Sequence, residues 1–216
     1  MYVPEHFKMS PTDLESFLSG VHGGNLVTLD PKTSRITASF LPWVLVDGQR
    51  LTTHMGRVNP QSVHQGDALV IFMGNDGYIS EEWLGDGSSP TWNYETVHVY
   101  GQMTTHTDPQ WIYQSWRDLL DHSSASRLED YDPGWLEKQV PATVGVEVEI
   151  TEVMAKSKLL QNRREEVVRT VATNLEDACP ALAERILTVC LPYIAARQER
   201  VRAARPYRFD ESSGSS

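Results

Sequence analysis

The alternation of apolar and polar residues over the first 150 residues predicts a sheet rather than a helical bundle. Predicted strands cover 25–29, 35–46 with an interruption at Pro42, 51–57, 67–73 continuing through 78–80, 97–105 and 144–150. Short turn signals such as Asp47-Gly48 separate several of them. About six strands joined by short turns predict a closed antiparallel barrel.

Helical periodicity lies mainly outside these strands. A first helix is expected to begin at Ser10-Pro11 and to stop at Gly23-Gly24, and another to begin at Asp108-Pro109. The segment 128–139 predicts a short helix or turn. Helices are also expected at 165–175 and after Pro180, the last one kinked or ended by Pro192. Because the helices are segregated from an antiparallel sheet, the fold class is α+β.

The stretch 85–101, GDGSSPTWNYETVHVYG, is the first candidate for binding. A polar loop that presents Trp92 and the Asn93 amide beside a half-buried strand is suited to a flat, hydrogen-bonding ligand. The alternative is structural, with Trp92 and Tyr94 as ordinary core aromatics at a strand entrance.

The net charge of −10 changes the picture by opposing general binding to nucleic acid or to an anionic membrane. An arginine cluster near the end is read as a solvated helix and tail. No apolar run is long enough to span a bilayer, and the first residues lack the features of a signal peptide, so a cytoplasmic protein is expected. Cys179 and Cys190 are expected to be buried free thiols.

Several motifs in a fixed order resemble the PaiB-type family of FMN-binding negative transcriptional regulators. They are Met1-Tyr2-Val3-Pro4 with His6-Phe7, Leu41-Pro42-Trp43, the run 54–61 (HMGRVNPQ), the run 68–72 (ALVIF), Tyr78-Ile79-Ser80, the run 90–94 (PTWNY) with 97–101 (VHVYG), and Lys158-Leu159 with Gln161-Asn162-Arg163. The resemblance covers about three quarters of the chain. It implies a split β-barrel that forms a homodimer, with the cofactor cleft at the subunit interface.

Three positions depart from the family pattern: Phe40, Ser62 and Leu160 replace groups that would bond or stack in a flavin cleft. A flavin phosphate needs hydroxyls and cations around it. An apolar Phe40 and Leu160 suit a porphyrin face better. The chain is also similar to a haem-dependent branch of this fold group, the piperazate synthases, which close an N–N bond in N5-hydroxyornithine.

The resemblance implies a set of site residues. The expected cofactor-binding residues are Phe40, Pro42, His54, Arg57, Asn59, Trp92, Asn93, Lys158, Gln161, Asn162 and Arg163. His54 is the expected iron ligand, Arg57 would hold a carboxylate, and Lys158 is a candidate catalytic base. The structural alternatives are a strand-paired His54, a surface ion pair for Arg57 and helix capping by Asn162. His98 could face the same cleft or the outside, and His64 is expected to be exposed.

The function expected from these residues is a haem b enzyme that forms piperazic acid from an amino-acid substrate, with iron as the Lewis acid. The alternatives are an FMN-binding oxidoreductase or PaiB-type regulator, and a DNA-binding repressor without catalysis. Three regions are expected: a barrel over 1–160, helices packed on it over 161–211, and a disordered tail over 212–216.

Overall fold

A computed structural model describes residues 1–85, 87–123 and 126–204. Its strands are β1 (Val21–Leu29), β2 (Ile36–Val46), β3 (Arg50–Gly56), β4 (Gly66–Ile79), β5 (Thr91–His106) and β6 (Thr143–Lys158). They close into a barrel in the order β1-β2-β3-β6-β5-β4. The registered pairs β1–β2, β1–β4, β2–β3 and β3–β6 are antiparallel. The predicted α+β fold with an antiparallel barrel is therefore confirmed.

All helices except Glu81–Leu84, which was not predicted, occupy positions that the periodicity predicts, with adjusted ends. They are α1 (Pro11–Leu18), α2 (Glu81–Leu84), α3 (Pro109–Ser123), α4 (Pro133–Gln139), α5 (Glu165–Leu175) and α6 (Pro180–Ala203). Short 3-10 turns cover Glu5–Phe7, Pro60–Val63, Leu128–Asp130 and Val140–Ala142. None of the described helices is long and apolar enough to cross a lipid bilayer.

The chain forms two compact units. The first combines Met1–Gly74 with Tyr94–Ser157, and in the described part the second combines Asn75–Asn93 with 158–204. The first has a core inside the barrel that includes Leu26, Trp43 and Val146. The second has its own core, which includes Ile79, Val168 and Ile186. The division into 1–160 and 161–211 stays a prediction, and the predicted tail at 212–216 lies outside the described residues.

Two glycine-containing segments that read as stops or turns are strand interior. Gly23-Gly24 belongs to β1, which begins at Val21, and a Cβ on Gly24 would come within 2.7 Å of the Phe72 ring. Asn75-Asp76-Gly77 lies inside β4, and a Cβ on Gly77 would come within 2.7 Å of Leu182. Both glycines make room for a neighbouring side chain. The helix stop expected at Gly23-Gly24 is therefore strand interior, whereas the strand expected to continue from 67–73 through 78–80 does so.

Two prolines also interrupt less than expected. Pro42 lies within β2, where it pairs with Gly23 of β1 but falls outside the short register of Val44–Val46 with β3. Proline has no backbone N–H, and Pro42 lies in a part of β2 that is paired with β1 but not with β3. The missing donor therefore need not remove a ladder hydrogen bond. Pro192 lies inside α6, which continues to Ala203. Burial of Ile186, Cys190 and Ile194 on both sides of it, at roughly 1.5–3 kcal/mol per large apolar side chain, offsets a proline cost of about 3 kcal/mol.

The two cysteines differ in their surroundings. Cys190 is fully buried in the second unit, and its Sγ lies 2.6 Å from the Leu159 carbonyl oxygen, to which the thiol donates. Burial raises the pKa of Cys190 to about 12. Cys179, before α6, is only half-buried, which corrects the expectation that both thiols are buried.

Candidate functional site

The outer face of β3 carries the candidate site. Leu51 and Met55 belong to the barrel core, so the alternating residues Arg50, Thr52 and His54 project outward. Helix α3 packs against β3 and β2 on this side. We call this contact region the β3–α3 seam.

A glycine on β6 lets α3 approach the sheet. Gly145 pairs with His54 across the β3–β6 ladder, and the six-membered part of the Trp111 indole occupies the space that a Cβ on Gly145 would fill. The other face of Trp111 stacks on His106, with ring centroids 4.1 Å apart and planes 9° from parallel. The tryptophan therefore fixes the position of α3 over the strand pair.

A cavity of about 280 Å³ opens at the His54 end of the seam. Its lining is mostly aromatic and aliphatic and consists of His54, Trp116, Leu119, Leu120, Leu128, Tyr131, Trp135, Leu136, Gln139 and Thr143. The lining residues belong to β3, to α3, to the 3-10 turn at Leu128–Asp130 with the adjoining Tyr131, and to α4. The last of them, Thr143, is the first residue of β6. Among the described residues, no lysine or arginine lines this cavity.

His54 is the titratable side chain of the cavity. Its Nδ1 atom is buried and has no hydrogen-bond partner in the described part of the chain. Its ring meets the edge of Trp116, with centroids 6.0 Å apart and planes at 80°. Burial lowers the pKa of His54, so the imidazole is neutral at physiological pH and offers a nitrogen lone pair.

Arg57 reaches the edge of the same cavity. Its Nε donates to the Pro141 carbonyl at 2.7 Å and its Nη2 to the Thr143 carbonyl at 3.1 Å. Thr143 is a lining residue, so these two bonds fix the guanidinium beside the cavity opening. The surface ion pair that was the structural alternative for Arg57 does not form among the described residues.

The neighbouring candidates of the first unit support the fold. Asn59 caps the turn Pro60–Val63 by accepting from the Gln61 backbone N–H at 2.9 Å, and its amide donates to Ser39 Oγ at 2.9 Å. Pro42 is half-buried within β2. Phe40 is 71% exposed, and its ring lies over Gly23.

His64, which the sequence places in an exposed loop, is buried with 2% of its surface exposed. Its Nδ1 lies 2.7 Å from Thr28 Oγ1, which also accepts from the Gln61 side chain at 2.9 Å. The expected exposure was wrong because Thr28, from the distant strand β1, bonds the imidazole inside the protein.

The remaining six predicted residues belong to the second unit. Lys158 ends β6, and its Nζ donates to Thr91 Oγ1 at 2.5 Å and to the Trp92 carbonyl at 2.7 Å. The Trp92 indole is half exposed and donates to Asp76 at 2.9 Å. Asn93 is buried with neither amide atom bonded in the described part of the chain.

The segment after β6 is held by its own side chains. Gln161 is buried, and its Oε1 accepts from the Leu159 backbone N–H at 2.9 Å. Arg163 Nη1 donates to Ser88 Oγ at 2.8 Å. Asn162 is exposed and does not cap α5, whose N-cap is Arg164.

The fit of the two expected cofactors differs. The His54 cavity has an unpartnered imidazole nitrogen and apolar walls, which suit a haem face and an axial ligand. Its volume lies just below the roughly 300–1,000 Å³ of small-molecule sites, so by itself it would enclose only part of a macrocycle. It lacks a cation for the FMN phosphate. Across the described ranges, three or more His, Cys, Asp or Glu side chains nowhere converge on a metal-sized site.

Sequence reasoning missed most of the cavity wall. Trp116 was assigned to a helix without a role, and Tyr131 and Trp135 were not assigned one. Tyr131 and Trp135 in the short segment 128–139 could have indicated this wall, because aromatic residues at a surface frequently line binding sites.

Comparison with known proteins is consistent with this architecture. The model of a family described as "Putative FMN-binding domain" matches residues 1–152. Protease synthase and sporulation protein PAI 2 of Bacillus subtilis is 28% identical over 197 residues, which cover 82% of this chain and 90% of that protein.

Solved structures share the fold at low sequence identity. A conserved hypothetical protein of Mycobacterium tuberculosis aligns with a TM-score of 0.56 and 12% identity, over 73% of this chain and 91% of that one. An FAD and haem binding protein of Mycobacterium smegmatis aligns with a TM-score of 0.50 and 14% identity, over 71% and 74%.

Proposed function

Because the chain belongs to this FMN-binding domain family, a PaiB-like group, we propose that its barrel serves as a cofactor-binding enzyme, with haem b held at the His54 cavity. The observation that carries the proposal is the buried, unpartnered Nδ1 of His54 among apolar walls. A buried polar atom without a partner is rare in a native protein, and a ligand would account for it.

The choice of haem over FMN for this cavity rests on charge. An FMN phosphate is a dianion and needs several cationic or N–H donors. The described cavity lining contains neither lysine nor arginine, and Arg57 beside it is a single cation with two of its N–H donors already bonded to backbone carbonyls. One such cation suits a carboxylate better than a phosphate dianion, and the apolar walls suit a porphyrin face. The Mycobacterium smegmatis neighbour is named as an FAD and haem binding protein, which agrees with a barrel of this shape accepting either kind of cofactor.

The side chains of the cavity divide the work. His54 is neutral, because burial lowers its pKa, and its imidazole nitrogen would hold the haem iron. Trp116 meets the imidazole edge-on and limits its rotation. Arg57, fixed by two backbone carbonyls at the opening, would hold a carboxylate of the cofactor or of the substrate.

The finer proposal is closure of an N–N bond in N5-hydroxyornithine to give piperazic acid. When bound, haem iron would supply a Lewis acid for the N-hydroxyl group. The N5–O bond breaks, the lone pair of the α-amine forms the N–N bond, and the hydroxyl leaves with one amine proton as water. Atoms and electrons balance without a further reactant. The two nitrogens share one carbon chain, so the cavity would accelerate closure by orienting them and excluding water.

A homodimer would complete the site. Because a cavity of about 280 Å³ would enclose only part of a macrocycle, a second copy of this chain would cover the rest, as the family resemblance implies. Molar mass by light scattering with and without haem would test this step.

FMN binding by an oxidoreductase or a PaiB-type regulator is the second candidate. The family match and the presence of Lys158 and Arg163 in one short segment favour it. In this case the two cations would contact the phosphate. A net charge of −10 makes DNA phosphates an unfavourable partner for the whole chain.

Absorption titration with haem and, separately, with FMN tests both candidates. The expected result is a Soret band that forms with the wild type and with His122→Ala, an exposed histidine of α3, and is lost in His54→Ala. A loaded wild type would then convert N5-hydroxyornithine to a product lighter by one water in mass spectrometry. If His54→Ala keeps the Soret band, the assigned ligand is wrong. If FMN alone binds and Lys158→Met weakens it, the second candidate replaces the first.

A further inference from the structure

A second pocket lies on the β3–α3 seam and shares no residue with the His54 cavity. Its volume is about 270 Å³. Its lining consists of Val46, Arg50, Thr52, Trp111, Gln114, Ser115, Asp118 and Glu147. We call it the Thr52 pocket.

Two hydroxyl groups in its wall lack partners. Thr52 is 5% exposed and Ser115 is 3% exposed, and the hydroxyl oxygen of each is buried without a hydrogen bond in the described part of the chain. One comes from β3 and the other from α3, so both sides of the seam present the same kind of group. Buried hydroxyls in native proteins are nearly always satisfied. Two orphans in the wall of one pocket therefore point to a hydrogen-bonding occupant.

The charged residues in the lining indicate which charge a ligand of this pocket would carry. Arg50 is the cation, and three of its five N–H donors bond carboxylates: Nε and Nη2 bond Asp47 at 3.0 and 2.8 Å, and Nη1 bonds Glu147 at 2.8 Å. Glu147 and Asp118 both line the pocket, and Asp118 accepts from Gln114 at 2.7 Å. Two carboxylates against one neutralised guanidinium favour a cation and disfavour an anion.

We propose that the Thr52 pocket binds a small protonated primary amine. An ammonium group has three N–H donors, which matches the two hydroxyl oxygens and the carboxylate of Glu147. Val46 and the part of Trp111 that lines the pocket provide the apolar surface for a short alkyl chain. The inference does not depend on which cofactor the His54 cavity holds.

Calorimetric titration of the full chain with n-butylamine, protonated at neutral pH, tests the proposal. Saturable binding is expected, together with much weaker binding of n-butanol, the uncharged analogue, and of butyrate, the anionic one. Thr52→Val and Ser115→Ala should each weaken amine binding about tenfold or more, because a hydrogen bond to a charged group is lost. Thr151→Val, whose exposed hydroxyl bonds the Tyr100 carbonyl, is the matched control and should bind as the wild type does.

A thermal melt of the unliganded variants separates a binding role from a structural one. Thr52→Val should melt at or above the wild-type temperature, since a methyl group replaces an unsatisfied hydroxyl of the same size. A lower melting temperature with unchanged amine affinity would overturn the proposal. So would equal affinity for butanol and butylamine, or the absence of saturable amine binding, which would leave water as the occupant.

Discussion

The β3–α3 seam and the end of β6 with the segment that follows it both contain predicted site residues, yet their polar groups are bonded differently. On the seam, His54, Thr52 and Ser115 keep buried polar atoms without partners beside cavities. After β6, Lys158 and Arg163 donate to oxygens of their own unit. The family motif spans both regions, so motif membership does not separate ligand binding from fold support. Hydrogen-bond accounting does, because a satisfied group has less left to offer a ligand.

The largest expected effect comes from adding a methyl group to the β3–α3 seam. Gly145→Ala should lower the free energy of unfolding by about 3 kcal/mol, because the new methyl group must displace the Trp111 ring on which α3 rests. Urea denaturation measures the change. Gly56→Ala in β3 is the matched control, since its Cβ would meet nothing closer than Val58 at 3.8 Å. Equal effects of the two substitutions would mean that Trp111 does not position the helix.

Gln161→Leu tests whether the segment after β6 supports the fold rather than binding a cofactor. The buried Leu159 N–H would lose its acceptor, which should cost about 2 kcal/mol of unfolding free energy. Haem affinity should stay at the wild-type value, because the segment supports the fold. Asn162→Ala, an exposed neighbour, should change neither quantity. A loss of cofactor affinity in Gln161→Leu beyond the loss in stability would place this segment in the binding site.

The smallest expected effect is a pH dependence that belongs to the first unit, which contains all seven histidines. Burial lowers the pKa of His54, His98 and His106 below the usual histidine value of about 6.5. The unfolded chain then takes up protons first as the pH falls through about 6.5, so stability decreases toward acid, by at most about 1.4 kcal/mol per pH unit for each histidine.

Urea unfolding at several values between about pH 5 and 8 measures this slope. His54→Gln should flatten it, whereas His122→Gln is the control for loss of an exposed histidine. An unchanged slope in His54→Gln would show that His54 is not desolvated by the cavity.

Most of the fold could be predicted from the pattern of strands in the sequence. Alternation identified the barrel strands, and Asp108-Pro109 located the start of α3, because these signals are local. The roles of Gly77 and Gly145 could not be predicted in the same way. Each position lacks a Cβ because a side chain from a distant segment occupies that space. The sequence cannot show which side chain that is.

The site was predictable in the same uneven manner. His54 and Arg57 were predicted because they share one sequence motif. The structure places His54 in the cavity lining and bonds Arg57 to Thr143, another lining residue, and their role in binding stays a prediction. Thr52 and Ser115 were not found, because their significance comes from what they fail to bond with after folding. Asn59 read as a cofactor residue although its two hydrogen bonds hold a turn.

The contrast between Cys190 and Cys179 has a practical use. With its pKa raised to about 12 and its hydrogen donated to a backbone carbonyl, Cys190 is inert to alkylating reagents while the second unit stays closed. Cys179 is half-buried and remains the accessible thiol. The rate at which a second equivalent of reagent is consumed therefore times the opening of the second unit alone, in the unmodified protein and without an added probe.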